Sequence, residues 1–257
     1  GNQTPDGPNY IVLRDTVSSD QPTQWHFWTL SEKIGTPGQA ADRRAFLKDK
    51  PGAGNLPARE LKGDRFTALC QFDRDLEYFV AAPTDTPRYT ARYGTRGSAY
   101  GTRGFDEFQD LMHLQLEGPG VYFVALFPRR QAEKAPAFET FGDGRVIGIS
   151  GEFGRDLVFL SKAKAGAGAE EAAFTGTAAT VQDRPAGLKL VLGAAGSVRY
   201  RAYGIVCDGP VLMQVTPTAL DLRFDPGFAG ETVTITAPGQ WVAQQEGVRV
   251  EPTQEGV

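Results

Sequence analysis

The scarcest residue types in this 257-residue chain are those that most often carry chemistry: histidine, cysteine and methionine occur twice each. A zinc site needs three or four ligands, commonly His and Cys at short spacing. The chain has no Cys-x-x-Cys or His-x-His, and His26 and His113 are far apart in sequence. Neither a metal nor any other cofactor is expected. Cys70 and Cys207 lie in apolar strand-like runs, Thr67-Ala-Leu-Cys-Gln-Phe72 and Tyr203-Gly-Ile-Val-Cys-Asp208. Two buried free thiols are the preferred reading, and a disulfide between them is the alternative.

Other absences exclude whole classes. No apolar run approaches the ~18 residues that a membrane-spanning helix requires. The net charge is -4, so no overall basic field exists to hold nucleic acid or an anionic membrane. There is no Gly-x-Ser-x-Gly elbow, phosphate-cradling Gly-x-x-x-x-Gly-Lys loop or dinucleotide fingerprint on a strand-to-helix turn. Long helical patterns are scarce. The chain opens Gly-Asn-Gln-Thr-Pro-Asp-Gly-Pro, without Met or a signal-like apolar segment, as expected of a processed chain or an excised piece of something longer.

What is present reads as strand. Short apolar or alternating runs recur at intervals of roughly 8–12 residues, separated by turns such as Gly142-Asp-Gly144 and Gly193-Ala-Ala-Gly196. The pattern predicts an all-β protein, a large two-layer antiparallel β-sandwich of supersandwich-like proportions. Residues 1–210 would form the main sandwich. Residues 211–257, with strand candidates at 211–215, 219–224 and 232–237, would form a small C-terminal sheet packed on it or continuous with it. Val121-Tyr-Phe-Val-Ala-Leu-Phe127 suits a central strand that Pro128 ends. Ser31 to Asp64 reads as loop with at most one helical turn near Ala40–Lys48. The small-residue stretch Lys162 to Glu170 reads as a surface loop.

The opening segment, Tyr10–Val17, then Ser18-Ser-Asp-Gln-Pro-Thr23, then Gln24–Leu30, reads as strand, turn, strand: a central hairpin. Side chains alternate along a strand, so Trp25, Phe27 and Thr29 share one face, and His26, Trp28 and Leu30 the other. The Trp25/Phe27 face is expected in the core. The His26/Trp28 face is expected to border a cleft.

The order of several segments resembles a known family. Tyr10-Ile-Val-Leu-Arg-Asp-Thr-Val17, Val121-Tyr-Phe-Val-Ala-Leu-Phe-Pro-Arg129, Gly154-Arg-Asp-Leu-Val-Phe-Leu-Ser161, Phe174-Thr-Gly176, Leu188-Lys-Leu-Val-Leu-Gly193 and Tyr203-Gly are similar to strands in the C-terminal β-sandwich of heparinase II/III-like polysaccharide lyases. The resemblance implies a sandwich normally preceded by an α/α toroid that carries the residues for β-elimination on uronate-containing sugars. It also implies an extracellular or periplasmic location in a bacterium and acidic polysaccharide as partner. The chain has no helical repeats from which to build the toroid, so it is not expected to be an active lyase alone. The alternative is a stand-alone carbohydrate-binding or adhesive sandwich without catalysis.

Two sets of residues could carry function. His26 could neutralise a uronate carboxylate or act as a base beside Trp28, whose ring could stack on sugar; a hydrogen-bonded core histidine is the alternative. His113 has a weaker claim, among hydrophobic neighbours. Between Pro87 and Gly104 the unit Tyr-Gly-Thr-Arg-Gly occurs twice, at 93–97 and 100–104, and Arg88, Arg92, Arg96 and Arg103 bring positive charge without an acid among them. Arginine forks hold carboxylate or sulfate, and tyrosines stack on flat faces. Arg92, Tyr93, Arg96, Tyr100 and Arg103 are therefore candidate substrate-binding residues together with Trp28. A solvated loop whose arginines pair with Asp106, Glu107 and Asp110 is the other reading.

Overall fold

The computed structural model describes residues 7–48, 56–70, 73–95, 107–224 and 233–239, with backbone alone at 93–95 and 107–109. The first nine strands are β1 (Ile11–Val17), β2 (Thr23–Thr29), β3 (Ser31–Gly35), β4 (Leu56–Leu61), β5 (Arg65–Cys70), β6 (Arg74–Ala82), β7 (Arg88–Thr95), β8 (Glu107–Leu116) and β9 (Gly120–Arg130). Two short helices, α1 (Pro37–Ala40) and α2 (Arg43–Lys48), follow β3. The second half supplies β10 (Ala137–Phe141), β11 (Val146–Gly151), β12 (Gly154–Ala169), β13 (Ala172–Arg184), β14 (Gly187–Leu192), β15 (Gly196–Tyr200), β16 (Tyr203–Cys207), β17 (Val211–Val215), β18 (Leu220–Phe224) and β19 (Val233–Thr236). No helix among the described residues is long and apolar enough to cross a membrane.

All-β architecture with antiparallel pairing is what the structure shows, and three sheets build it. A five-stranded sheet, ordered β1-β9-β6-β5-β3, lies in the middle. A four-stranded sheet, β2-β8-β7-β4, covers one of its faces. A ten-stranded sheet covers the other.

β9 explains the middle position. Tyr122, Val124 and Leu126 enter the core shared with the four-stranded sheet, packing with Trp25, Met112 and Leu114. Phe123, Ala125 and Phe127 point the other way and pack with Phe138, Ile147 and Ile149 of β10 and β11. A strand buried on both faces reads as a continuous apolar run. Pro128 does not end it, because β1 stops at Ile11 opposite Leu126. Beyond that point β9 pairs on the β6 side, where Pro128 still sits in register opposite Leu76, and its other edge is the open kind on which proline is tolerated.

The ten-stranded sheet folds back on itself through its longest hairpin. β12 and β13 pair along their length with a register shift between Leu160 and Ala165. β13 gives its first residues, Ala172–Thr175, to β15, and its last, Ala179–Arg184, to β14. The two halves close on one core in which Phe159 stacks on Phe174 at 5.5 Å. Gly176, at the division, has φ 133°, a conformation that favours glycine, and a Cβ there would sit 2.9 Å from the Ala195 carbonyl oxygen. β17, β18 and β19 extend this ten-stranded sheet through β14 and β16 and form no sheet of their own.

Several expectations change. The opening segment is not a hairpin: β1 pairs with β9 in the middle sheet, and β2 pairs with β8 in the four-stranded sheet. The Ser18–Pro22 link carries the chain from one layer to the next. β3 and β4 lie in what reads as loop; β3 is short and polar except for Ile34, which is buried, and its pairing with β5 holds it. Residues 162–169 are strand, because hairpin pairing with β13 overrides the weak β-propensity of Ala and Gly.

Phe123 is fully buried between the middle and ten-stranded sheets, whereas Ile11 is 54% exposed. Phe123→Ala should therefore lower unfolding free energy by about 3–5 kcal/mol. Ile11→Ala should change it by no more than about 0.5 kcal/mol. Urea denaturation of both variants checks the layer order.

Candidate functional site

The four-stranded sheet has one face against the middle sheet and one toward solvent, and its residues alternate between them. Trp25 and Thr29 of β2 and Met112, Leu114 and Leu116 of β8 are buried inward. His26 and Trp28 point outward, and Trp28 is 45% exposed. The alternation read from sequence holds along β2.

On the outer face, cross-strand register gathers residues from distant parts of the chain. His26 lies opposite His113, His113 opposite Tyr89, and Tyr89 opposite Glu60. This row crosses all four strands, roughly 14 Å at the usual strand spacing. The His26 and His113 rings meet edge to face with centroids 4.8 Å apart, and the Tyr89 ring follows at 5.7 Å from His113. A second row places Trp28 opposite Leu111 and Leu111 opposite Ala91; Gln24 and Gln115 face each other on the far side of the histidines. The His26 Nε2 lies 3.1 Å from the Gln24 Oε1, so Nε2–H donates to the amide oxygen. The His113 Nε2 is buried without a hydrogen-bond partner among the described residues. Burial first, and the neighbouring His26 second, hold the His113 imidazole below its ordinary titration range.

The arginine cluster does not form one surface. Arg92 is 2% exposed and points inward, where its Nε donates to the Asp110 Oδ1 at 2.8 Å and its Nη2 to the Asp110 Oδ2 at 3.0 Å. The Ser31 hydroxyl donates to the same carboxylate at 2.9 Å, and Arg92 also donates to the Glu32 carbonyl. Arg88 is buried as well and donates to the carbonyls of Pro83, Thr84 and Thr86. The sheet's alternation accounts for this, since Arg88 and Arg92 fall on the inward face and Tyr89 on the outward one. Tyr93 lies on β7 opposite Gln109, its side chain outside the described residues, and Arg96, Tyr100 and Arg103 lie outside them altogether.

Sequence reasoning named His26 and Trp28 but missed that His113 and Tyr89 join them. A β1–β2 hairpin would have placed other residues beside His26. The signal that could have corrected it is the alternation of Leu111, His113 and Gln115, which leaves a polar outer face on β8.

A concavity of about 530 Å³ lies on the ten-stranded sheet, lined by Arg155, Arg184, Arg201, Glu170, Glu171 and Asp183. Its arginines are neutralised from within: Arg155 by Glu170 at 2.8 Å, Arg201 by Glu171 at 2.7 Å and Asp183 at 2.9 Å, and Arg184 by the buried Asp156. This arrangement does not offer a net positive cradle. Cys70 and Cys207 are free thiols; burial, then Asp75, pushes the Cys70 thiol up to about 12. Among the described residues, no group of three or more His, Cys, Asp or Glu side chains could hold a metal ion.

Fold and face together define an antiparallel β-sandwich protein with an open aromatic and imidazole surface on its outermost sheet. No protein-family model matches the chain, and no curated protein or solved structure matches it.

Two outcomes follow from these contacts. Asp110→Ala leaves the Arg92 guanidinium buried without its partner and should cost about 3–5 kcal/mol, partly restored by adding Arg92→Met; chemical denaturation measures both. For His113, the folded chain resists protonation more than the unfolded chain does. Its contribution to stability is present above about pH 6.5 and lost as pH falls through the lower folded value. Tm measured from pH 7.5 to 5.0 should fall less steeply in His113→Gln than in the parent chain.

Proposed function

We propose that the chain is a carbohydrate-binding β-sandwich whose ligand, an acidic polysaccharide or oligosaccharide, lies along the outer face of the four-stranded sheet. One observation carries the reading: the rings of His26, His113 and Tyr89 form a row across three strands, with the exposed Trp28 two residues along β2 from His26 on the same outward face. Flat rings with a polar edge suit sugars, which present C–H faces and hydroxyl rims. Gln24 and Gln115 add amide donors and acceptors at the border. An exposed apolar and aromatic patch on a rigid sheet is also the usual mark of an interaction surface.

The resemblance to heparinase II/III-like lyases gives the same face a place in a larger protein. Beside a helical toroid it would form one wall of the cleft, with His26 toward the uronate carboxylate, in an extracellular or periplasmic setting. On this reading the isolated chain gives no rise in ultraviolet absorbance from unsaturated uronate products.

Binding to an array of uronate-bearing and neutral glycans tests the proposal, followed by calorimetry on the best ligand. Trp28→Ala and Tyr89→Ala should each weaken binding about two- to tenfold, the range for loss of one aromatic contact. Unchanged affinity in the folded double variant would remove this face from consideration. Arg96→Ala with Arg103→Ala tests the repeated Tyr-Gly-Thr-Arg-Gly units separately.

A further inference from the structure

The two histidines of the chain come from strands almost ninety positions apart in number, yet they are direct cross-strand partners in contact. Imidazole is the side chain whose ordinary titration falls between pH 5 and 8. Resting on the glycan-binding reading, the geometry points to a further property: His26 and His113 act as one proton-operated element that makes this face hold anionic glycans more tightly in mild acid than at neutral pH.

The surroundings of the pair are what give a proton this effect. From β2 the neighbours are Gln24 and Trp28; from β8, Leu111 and Gln115; from β7, Tyr89 and Ala91. None is a charged side chain. Among the described residues, the acids that approach this face are Glu60, beyond Tyr89 on β4, and Glu117, past the end of β8, where it accepts from the Gln115 amide. Two strand spacings, roughly 10 Å, separate the Glu60 backbone position from that of His113, about the distance over which salt screens exposed charges. The middle sheet packs on the opposite face. A charge arriving on the pair is therefore not cancelled by a carboxylate of the described chain.

His26 is exposed and donates its Nε2–H to Gln24, which leaves its Nδ1 facing away from that bond. Among the described residues the buried His113 Nε2 has no hydrogen-bond partner, and a charged His26 would disfavour a proton there. A proton taken up by the pair therefore places positive charge within the ring row. A carboxylate or sulfate on a bound sugar can accept a charge-assisted hydrogen bond from it. A neutral sugar gains nothing comparable.

Isothermal titration with an oligogalacturonate and with its methyl ester, at pH 7.5 and 5.0 and constant ionic strength, tests this. The acid form should bind about three- to tenfold more tightly at pH 5.0, the scale of one charge-assisted contact at a partly exposed site. The methyl ester should show no such change. The His26→Gln/His113→Gln double variant should lose the pH dependence whatever its absolute affinity, with circular dichroism confirming its fold. Equal affinity of the acid form at both pH values, or a pH dependence that survives in the double variant, overturns the proposal while leaving the binding face intact. Failure of both ligands at both pH values overturns the glycan reading and this proposal with it.

Discussion

The structure depends on a strand that has no solvent face. β9 carries rings and branched side chains on both of its sides, so the sheet that contains it is stable only when covered twice. One cover is the four-stranded sheet, which is narrow and leaves its own far side to water. The other is the ten-stranded sheet, which closes a third core by folding over at the β12–β13 hairpin. The layer that can meet a ligand is outermost because the layer beneath it has nothing left to expose.

Polar groups inside the layers are handled by pairing. Asp75 and Glu77, both buried on β6, receive Arg43 at 2.8 Å and Arg129 at 2.7 Å respectively, and Thr67 donates to Glu77 at 2.7 Å. Asp156, fully buried, accepts from Tyr10 at 2.7 Å and from Arg184, tying the start of β1 to the ten-stranded sheet. Burial, followed by the charge of Asp156 and the hydrogen bond to it, drives the Tyr10 phenol well above its ordinary value, so it acts as a fixed donor. Arg92 and Asp110 of the four-stranded sheet repeat the device where that sheet meets Ser31 and Glu32 of the middle one. Much of the arginine that a count would assign to the surface is spent in this way.

The sequence shows the fold class through period and punctuation. The run at 121–127 and the alternation along β2 and β8 follow directly from burial on two faces or one, and both are visible as pattern. Which strand pairs with which is not visible in that way. Tyr10–Leu30 has the local signature of a hairpin, yet its two strands enter different layers because each finds a longer-range partner. The short β3 has a single branched residue, Ile34, and the Ala-Gly-Ala-Gly portion of β12 has none, so pairing with their neighbours makes them strands. The site was half legible for the same reason. Orientation along β2 comes from alternation, so His26 and Trp28 could be placed on one face. The meeting of His26 with His113 and Tyr89 comes from register between segments far apart in number, for which no local rule exists. Arg92 is the converse: its residue type suits a ligand site, but its parity on β7 turns it inward.

The Ser18–Pro22 link between β1 and β2 also bears on how the molecule assembles. Val17 pairs opposite Gly120 and Thr23 opposite Leu116, so a short connector sends two neighbouring strands to the two arms of the distant β8–β9 turn. Neither arm can be claimed early, because the chain between must first be brought round at the entropic cost of closing a long loop. The β12–β13 hairpin, by contrast, closes across a turn of two residues. The second half of the chain is thus suited to organise first and present a finished surface, while the first half, including the face with the histidines, is set in place by a late closure that adds β1 to the middle sheet and β2 to the four-stranded sheet together.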